Sequence, residues 1–402
     1  MKRLIQTAIG VLLFGLAVLP AQAAFRALYV FGDGLSSTTG NVQSPPLSTS
    51  YYGSRYSNGR VWVEVLAQRQ GLTYDAAKNN SYFDHNSTIS VTDVKNFSAP
   101  SDATNALFIV WVCNADTYDA AINNDSSNQW VVAINQSQTN HLQIITNLYA
   151  KGVRTLILPN AVDISKIPAF NTGSTLTNLM HNECIAYNMA FSNTIKKART
   201  LCPSLTIYTP DFYTLMNNVL TNASNYGLTN ALSSKGLSLD AMDLSYNLFQ
   251  IFPPAVANGY GANFIFWDKQ DPTAQFHEVI ADVVQQIISP VQVGQITALN
   301  GSNQMVVANM PVGLNGFVDA TTNMTQPSWT VVQNITSTST TQSVFVPQLP
   351  TTTSTNVSGA FAGGSTGAKP ADSGPGFPGG PPPNYIALEF YRLRFPYAWT
   401  WP

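Results

Sequence analysis

Apolar runs alternate with longer stretches of helical period from Ala24 to about Pro290. Five short runs are apolar at nearly every position, as expected of strands covered by helices on both faces, and they span 27–31, 106–112, 153–158, 205–208 and 264–267. Between them, apolar residues recur every three or four positions, which predicts helices over 61–70, 130–150, 176–198 and 274–288. This alternation predicts an α/β fold with a doubly wound parallel sheet over residues 24–290.

The pattern changes after Pro290. Short runs of alternating hydrophobicity replace the helical period, at 305–308, 317–320, 329–332, 343–346 and 385–395. They predict a small all-β, sandwich-like module over 291–402. A stretch rich in Thr, Gly and Pro at 351–383 interrupts it, and we expect this insertion to form no packed element.

The amino terminus has the pattern of an export signal. Met1-Lys2-Arg3 is a basic start, residues 12–19 form the apolar body, and Ala21-Gln22-Ala23 is a small-residue cleavage pattern. We therefore expect a signal peptide at 1–23 and a secreted, periplasmic or cell-surface protein. No other stretch approaches about 20 uninterrupted apolar residues, so no integral membrane segment is expected.

Composition narrows the class of protein. Among 402 residues, 45% are hydrophobic and 10% are charged, which is typical of a chain that forms a core. The net charge of −2 provides no basic surplus for a phosphate backbone and argues against nucleic acid as a partner. The three cysteines and four histidines show no metal-ligand spacing, so neither a metal nor another cofactor is expected. Cys184 and Cys202 could form a disulfide, or all three cysteines could be small buried side chains.

The first strand leads into a motif. Phe31-Gly32-Asp33-Gly34-Leu35-Ser36 ends a strand in a glycine-bounded turn, at the sheet edge where open α/β folds bind ligands, and Thr39-Gly40-Asn41 follows. Further blocks are Ser57-Asn58-Gly59-Arg60-Val61-Trp62, the stretch at 110–116 and the stretch at 264–273. In this order the blocks resemble those of the GDSL, or SGNH, hydrolases, a family of secreted lipases and esterases.

The resemblance implies an SGNH-hydrolase-like fold and a small-molecule ester, lipid or acylated glycan as the ligand. It places Asp268 at the acid of the catalytic triad and the backbone N–H of Gly59 in the oxyanion hole. The binding residues that it implies are Asp33, Asn58, Gly59, Asn114, Ala115 and Asp116.

Three substitutions separate this chain from the family pattern. The nucleophilic serine falls on Gly34, the catalytic histidine on Asp271, and the oxyanion-hole asparagine on Ala115. A serine esterase requires a hydroxyl nucleophile, an imidazole base and donors for the oxyanion. The substitutions therefore predict a catalytically impaired protein.

Neighbouring side chains offer substitutes, each with a structural alternative. Ser36 or Ser37 could be a shifted nucleophile, and we favour a structural or capping role. Cys113 and His277 are expected to be packing residues. Asn114 could replace the lost amide donor if the strand end were shifted by one residue.

In the fold that the resemblance implies, the first and last blocks converge, so we expect Asp33, Asp268 and Asp271 to lie close together, with Asp116 nearby. Crowded carboxylates either raise a pKa or recruit a cation. The alternative is that Asp33 and Asp268 accept backbone hydrogen bonds while Asp271 is solvated at the pocket mouth.

Three functional hypotheses follow. The first is an SGNH-fold protein that binds its ligand without serine chemistry. The second is an active ester hydrolase in which Asp271 activates a water molecule. The third is a structural or surface-interaction protein that acts through the carboxy-terminal β-module.

Overall fold

The computed structural model describes residues 25–38, 49–299, 301–322, 327–347, 390–396 and 399–400. The predicted signal peptide, the Thr39-Gly40-Asn41 motif and the predicted insertion at 351–383 lie outside the described residues.

A five-stranded parallel sheet confirms the predicted α/β fold. Its strands are β1 (Leu28–Gly32), β2 (Asn79–Ser81), β3 (Leu107–Trp111), β4 (Thr155–Ile157) and β5 (Thr206–Tyr208). Their order across the sheet is β2-β1-β3-β4-β5. Every residue of β1 and β3 is buried, because helices cover both faces of the sheet centre.

The predicted strand at 264–267 is wrong, because this segment joins no ladder of the sheet. Phe264 makes one isolated bridge to Thr229, and Phe266 makes another to Pro272. The strand that completes the five-stranded sheet is instead β2, which pairs in parallel with Val30–Gly32 of β1. Its sequence, Asn79-Asn80-Ser81, carries no β-branched or aromatic residue, so its extended form comes from pairing rather than from propensity.

Helices connect the strands. They are α1 (Trp62–Arg69), α2 (Ser87–Asn96), α3 (Cys113–Ile122), α4 (Ser127–Ala150), α5 (Thr175–Leu201), α6 (Phe212–Thr221), α7 (Ala241–Phe249) and α8 (Ala274–Ile288). The bounds of α8 match the prediction because Thr273 caps its first turn and Pro290 follows its last. Helix α4 begins earlier than predicted, because Ser126 and Gln129 form a capping box ahead of the apolar period.

Antiparallel sheets follow α8. Their strands are β6 (Gln292–Leu299), β7 (Ser302–Ala308), β8 (Asn315–Thr321), β9 (Thr330–Thr336), β10 (Thr341–Pro347), β11 (Phe390–Phe395) and β12 (Trp399–Thr400). They form two sheets, β10-β7-β6 and β12-β11-β8-β9. Side chains of both sheets share one buried cluster, including Met305, Val318 and Leu393, which confirms the predicted sandwich-like arrangement. The division of the chain at about residue 290 into separate domains stays a prediction.

The cysteines are all free and buried. Cys184 lies in α5 and Cys202 directly follows it, so 18 helical rises, about 27 Å, separate the two. A disulfide between them is geometrically impossible, and the alternative of small buried side chains holds. No helix in the described part of the chain is long and apolar enough to cross a bilayer.

Candidate active site

The turn after β1 forms one side of the site. Its backbone is fixed by Asp33, whose N–H donates to the Trp111 carbonyl (3.2 Å) and whose Oδ1 accepts the Leu35 N–H (3.0 Å). This cap holds a single 3₁₀ turn over Gly34–Ser36. A Cβ added to Gly34 would lie 3.5 Å from Tyr56 and 3.6 Å from Phe83, which is ordinary van der Waals contact. The turn therefore has room for a side chain at position 34.

The loop before α8 forms the opposite side. Asp268 Oδ1 accepts the N–H groups of Gln270 (2.9 Å) and Asp271 (2.8 Å), and its Oδ2 accepts the Tyr51 hydroxyl (2.8 Å). The Asp271 carbonyl in turn accepts the Trp267 N–H (2.8 Å). Asp268 is thus the structural centre of this loop, and the loop fixes the position of Asp271.

The carboxyl groups of Asp268 and Asp271 hydrogen-bond to each other. Burial raises the pKa of Asp271 well above its usual range, and the negative charges of Asp268 and Asp33 raise it further. Burial also raises the pKa of Asp268, but the two backbone N–H groups and the Tyr51 hydroxyl oppose that rise. Of the two carboxyl groups, Asp271 therefore has the stronger tendency to hold a proton.

Burial is also the main cause that raises the pKa of Asp33, to about 7, and the charge of Asp116 adds to it. No group of three or more His, Cys, Asp or Glu side chains within the described ranges is placed to hold a metal ion. Burial thus raises the pKa of Asp33, Asp268 and Asp271 alike.

One cavity of about 70 Å³ lies between the turn and the loop. Its polar wall consists of Asp33, Gly34, Asp84, Asn114, Ala115, Gln270 and Asp271, and its remaining wall consists of Leu35, Phe83, Tyr118, Val162, Ile164 and Ile167. The three substituted positions of the family pattern therefore face the same small space.

Asn114 lies where α3 begins, at the carboxyl end of β3. Its Oδ1 accepts the Val162 N–H (3.0 Å), so the orientation of the amide is fixed by the loop after β4. The side chain is 7% exposed, and its Nδ2 has no hydrogen-bond partner among the described residues. Asn114 thus lines the cavity, with its Nδ2 atom buried and without a hydrogen-bond partner among the described residues.

Three residues that the resemblance assigns to binding do not line the cavity. Asn58 Oδ1 accepts the Ala274 N–H (2.8 Å), and a Cβ on Gly59 would come within 2.7 Å of the Ala274 Cβ. Both residues therefore pack at the start of α8. Asp116 turns to the helices behind the site and accepts hydrogen bonds from the Ser87 N–H (2.9 Å), the Ser137 hydroxyl (2.6 Å) and the Tyr187 hydroxyl (3.1 Å).

The side chains that could substitute for the missing catalytic groups are all buried in the protein interior. Ser36 Oγ accepts the Trp62 indole N–H (3.0 Å), and Ser37 is buried. Burial raises the pKa of the Cys113 thiol well above its usual value and lowers the pKa of His277 to about 3. None of these residues lines the cavity.

Sequence reasoning missed other contributors to the site. Tyr51 binds Asp268, and Tyr118 accepts a hydrogen bond from the Gln270 amide (2.6 Å). Part of the apolar wall comes from Val162, Ile164 and Ile167, which alternate with polar residues shortly after a predicted strand. Tyr51 follows a polar segment without a motif and gave no signal.

Comparison with known proteins agrees with this architecture. A model of the GDSL-like lipase/acylhydrolase family matches residues 28–284, more than half of the chain. The chain is 24% identical over 332 residues to a phosphatidylcholine-sterol acyltransferase from Aeromonas hydrophila, a match that covers 68% of this chain and 94% of the relative. It is 20% identical over 331 residues to a GDSL esterase/lipase from Arabidopsis thaliana, covering 67% and 87% respectively. Among solved structures, an acetyl xylan esterase matches 65% of this chain and 99% of its own, with 9% identity and a TM-score of 0.36.

Proposed function

Because this chain belongs to the GDSL-like lipase/acylhydrolase family, we propose that it keeps the family's cleft to bind a small-molecule ester, lipid or acylated glycan, and that it has lost serine-based ester hydrolysis. One observation carries the proposal. Gly34, Ala115 and Asp271, the three substituted positions, line a single cavity whose wall also contains apolar side chains such as Leu35, Val162 and Ile167.

The missing groups are those that perform acyl transfer. Gly34 offers no nucleophile, and the nearest hydroxyl in the turn, on Ser36, accepts the Trp62 indole N–H. Asp271 cannot pass a proton between nucleophile and leaving group as an imidazole does. Hydrolysis by the serine mechanism therefore lacks both reacting partners.

Hydrolysis by an activated water molecule is disfavoured by the carboxyl pair. A general base must be deprotonated at the working pH. Burial and the neighbouring carboxylates raise the pKa of Asp271 well above its usual range, which favours its protonated form, and Asp268 is occupied by three hydrogen bonds. Both features disfavour a free carboxylate base at this site. A role for the carboxy-terminal sheets in surface interaction is favoured by no specific contact, and it stays a prediction.

The class of ligand follows from the family and its relatives. The family name specifies lipase and acylhydrolase activity, and the relative from Aeromonas hydrophila is named for phosphatidylcholine and sterol. Phosphatidylcholine carries acyl esters, and lipases and acylhydrolases act on acyl groups, so an acyl ester is the ligand class that we propose.

We also propose export through the amino-terminal signal, which places the cleft outside the cytoplasm. Mass spectrometry of the extracellular or periplasmic protein should give a chain that begins near Ala24. Recovery of intact Met1 in the cytoplasmic fraction alone would exclude export.

The test of the proposed function combines labelling and turnover. The purified chain is incubated with an alkyl fluorophosphonate and analysed by intact mass, and p-nitrophenyl acetate hydrolysis is measured on the same sample. We expect no mass increase and turnover no faster than buffer. Stoichiometric labelling that disappears in Ser36→Ala or Ser37→Ala would overturn the proposal and identify a shifted nucleophile. Buffer-level turnover together with saturable quenching of tryptophan fluorescence by ethyl butyrate would support binding without hydrolysis.

A further inference from the structure

A second cavity lies at the carboxyl edge of the sheet and shares no lining residue with the candidate active site. It is a groove of about 460 Å³ between α5 and the start of α6, and we call it the α5/α6 groove. Small-molecule sites in proteins usually have volumes of roughly 300–1,000 Å³. Asn160 and Asp211 line the groove directly after β4 and β5, at the strand ends where α/β folds bind ligands.

The wall at the start of α6 is held by a network of hydrogen bonds. Asn160 Oδ1 accepts the N–H groups of Phe212 (2.7 Å) and Tyr213 (3.1 Å). Asp211 Oδ1 accepts the Asn160 amide (2.8 Å) and the Thr214 N–H (3.0 Å), and its Oδ2 accepts the Thr214 hydroxyl (2.7 Å). The first N–H groups of α6 are therefore used within the protein and do not form an anion site.

The wall formed by α5 presents side chains from one face of the helix, and they are Ile185, Asn188, Met189, Ser192, Asn193 and Lys196. Asn188 accepts the Ala161 N–H (3.0 Å) and donates to the Ala161 carbonyl (2.9 Å), which fixes this wall to the segment after β4. Ser192 and Asn193 are exposed, and their side chains form no hydrogen bond with another residue in the described part of the chain. This wall thus offers hydroxyl and amide groups to a ligand.

Two charged side chains of opposite sign line the groove, Lys196 and Asp211. Burial alone would raise the pKa of Asp211, but the hydrogen bonds from Thr214 and Asn160 outweigh burial and lower it below its ordinary value. Asp211 is therefore ionised at neutral pH. Its charge balances that of Lys196, so the groove gives neither an anion nor a cation a net attraction.

Tyr213 adds an aromatic ring to the lining. Its hydroxyl hydrogen-bonds to Asp163, which is buried, and burial together with this carboxylate raises the pKa of Tyr213 to about 12. Because the hydroxyl is held by the protein, the ring is the part of Tyr213 that remains for a ligand. Ile185 and Met189 are the other apolar side chains of the lining, and they are 38% and 67% exposed.

We infer that the α5/α6 groove binds a neutral saccharide, with the Tyr213 ring against a C–H face of the sugar and with Ser192 and Asn193 hydrogen-bonded to its hydroxyl groups. A sugar ring combines apolar C–H faces with hydroxyl groups that both donate and accept hydrogen bonds, which matches an aromatic ring surrounded by hydroxyl and amide side chains. The groove lies outside the proposed ester-binding cleft, so the inference goes beyond the proposed function and does not depend on it.

The experiment locates binding through methionine methyl resonances of the full chain. Cellotetraose, mannotetraose and chitotetraose are each titrated to about 10 mM. Met189 reports on the groove, Met189→Leu assigns its signal, and Met305, which is buried in β7, is the internal control. We expect a saturable shift of the Met189 methyl with at least one tetrasaccharide and no shift of Met305. No saturable shift of Met189 with any of the three would overturn the inference.

Salt and charged probes test the neutrality of the ligand. The dissociation constant of the tetrasaccharide should agree within about 2-fold between about 50 mM and about 500 mM NaCl, because salt screens only interactions between charges. Tetragalacturonate, an anion, and glycylglycine, a zwitterion, should bind at least about 10-fold more weakly. Tighter binding of either charged probe than of every neutral tetrasaccharide would overturn the assignment of the ligand class.

Variants test the two walls. Tyr213→Ala should weaken tetrasaccharide binding at least about 10-fold, whereas Tyr213→Phe keeps the ring and should retain most of it. Asn193→Ala should weaken binding about 5-fold, and Asn135→Ala, at an exposed position of α4, is the matched control and should have no effect. Circular dichroism confirms the fold of each variant. Parent-like binding in folded Tyr213→Ala would overturn the role of the ring.

The inference and the proposed function can fail separately. A chain that binds ethyl butyrate but none of the tetrasaccharides would overturn the saccharide groove and leave the ester-binding cleft standing. A chain that binds a tetrasaccharide at Met189 but no ester would give the opposite result.

Discussion

The turn after β1 and the loop before α8 differ at the positions where the family pattern places its reactive side chains. In the turn, Asp33 still caps the 3₁₀ segment and Gly34 leaves open space where a side chain fits. In the loop, Asp271 occupies the position of the family histidine and forms a new hydrogen bond with Asp268. The turn lacks a side chain at position 34, whereas the loop has a hydrogen bond between the carboxyl groups of Asp268 and Asp271.

This difference predicts how each region responds to change. A side chain can be added at position 34 without moving its neighbours. Replacement of Asp271 breaks a pair of carboxyl groups that share a proton, and it alters the charge balance of the whole site. Each of the following predictions tests one side of this comparison, beginning with the largest expected effect.

Restoring both reactive groups should have the largest effect. Gly34→Ser with Asp271→His supplies a nucleophile and a base that Asp268 can orient, and p-nitrophenyl acetate turnover should rise at least about 10²-fold above the parent. Ala115→Asn should add about 10²-fold, the value of one oxyanion donor. Each single substitution should do little, because nucleophile and base act as a unit. A folded triple variant without activity would mean that the shape of the cleft, and not only its reactive side chains, differs from that of an active hydrolase.

The two carboxyl groups of the loop should differ in their importance for stability. Asp268→Ala leaves two backbone N–H groups and the Tyr51 hydroxyl without their acceptor, and it should lower the free energy of unfolding by about 3 kcal/mol. Asp271→Asn replaces a protonated acid by a neutral amide of similar shape, and the change should be within about 1 kcal/mol. Urea unfolding at pH 7 measures both. A larger loss in Asp271→Asn than in Asp268→Ala would reverse our assignment of the two roles.

The pH dependence of stability should include a contribution from the turn. The pKa of Asp33 is about 7 in the folded protein and 3.8 as its ordinary value, so the folded state holds its proton more tightly. This stabilisation is complete below about pH 4 and is lost as the pH rises towards 7. Between pH 5 and pH 8 it should decrease by roughly 2 kcal/mol. Asp33→Asn keeps an oxygen for the Leu35 N–H and should remove this part of the slope, measured by urea unfolding at both pH values.

The smallest effect concerns a pair of glycines. Gly34→Ala adds a methyl group at ordinary contact distance and should change the free energy of unfolding by no more than about 0.5 kcal/mol. Gly59→Ala places its Cβ 2.7 Å from the Ala274 Cβ and should destabilise by about 1–2 kcal/mol. Thermal unfolding of the two variants side by side distinguishes these outcomes. Equal destabilisation would contradict the open space at position 34.

How far the fold could be predicted depended on where each element gets its stability. Helix α8 was predicted to the residue, because its cap at Thr273 and its stop at Pro290 are local signals. The polar strand β2 was missed, since it is held by pairing with β1. The apolar segment 264–267 was predicted as a strand from its composition, although it makes only isolated bridges. Elements that are bounded by local capping and stop signals could thus be predicted from the sequence, and elements that depend on long-range strand pairing could not.

The candidate site shows the same division. Asp33, Gly34 and Asp271 could be placed at one site, because the resemblance to the family implies that its first and last blocks converge. The cavity wall at 162–167 mixes Val and Ile with Asp, Ser and Lys, and so it gave no clear signal of a binding surface. Tyr51 could not be found, since its contact with Asp268 joins residues 217 positions apart and leaves no local pattern.

The protonation of Asp271 is the most direct test of the account. Side-chain carboxyl ¹³C resonances of aspartate-labelled protein are followed between pH 4 and pH 9, and the Asp271→Asn variant assigns the signal. The account predicts that Asp271 keeps the chemical shift of a protonated acid at pH 7 while the chain gives no ester turnover. Titration of Asp271 near pH 4 would contradict it, because the loop would then present a free carboxylate base beside the cavity, and hydrolysis by an activated water molecule would become the better reading of the site.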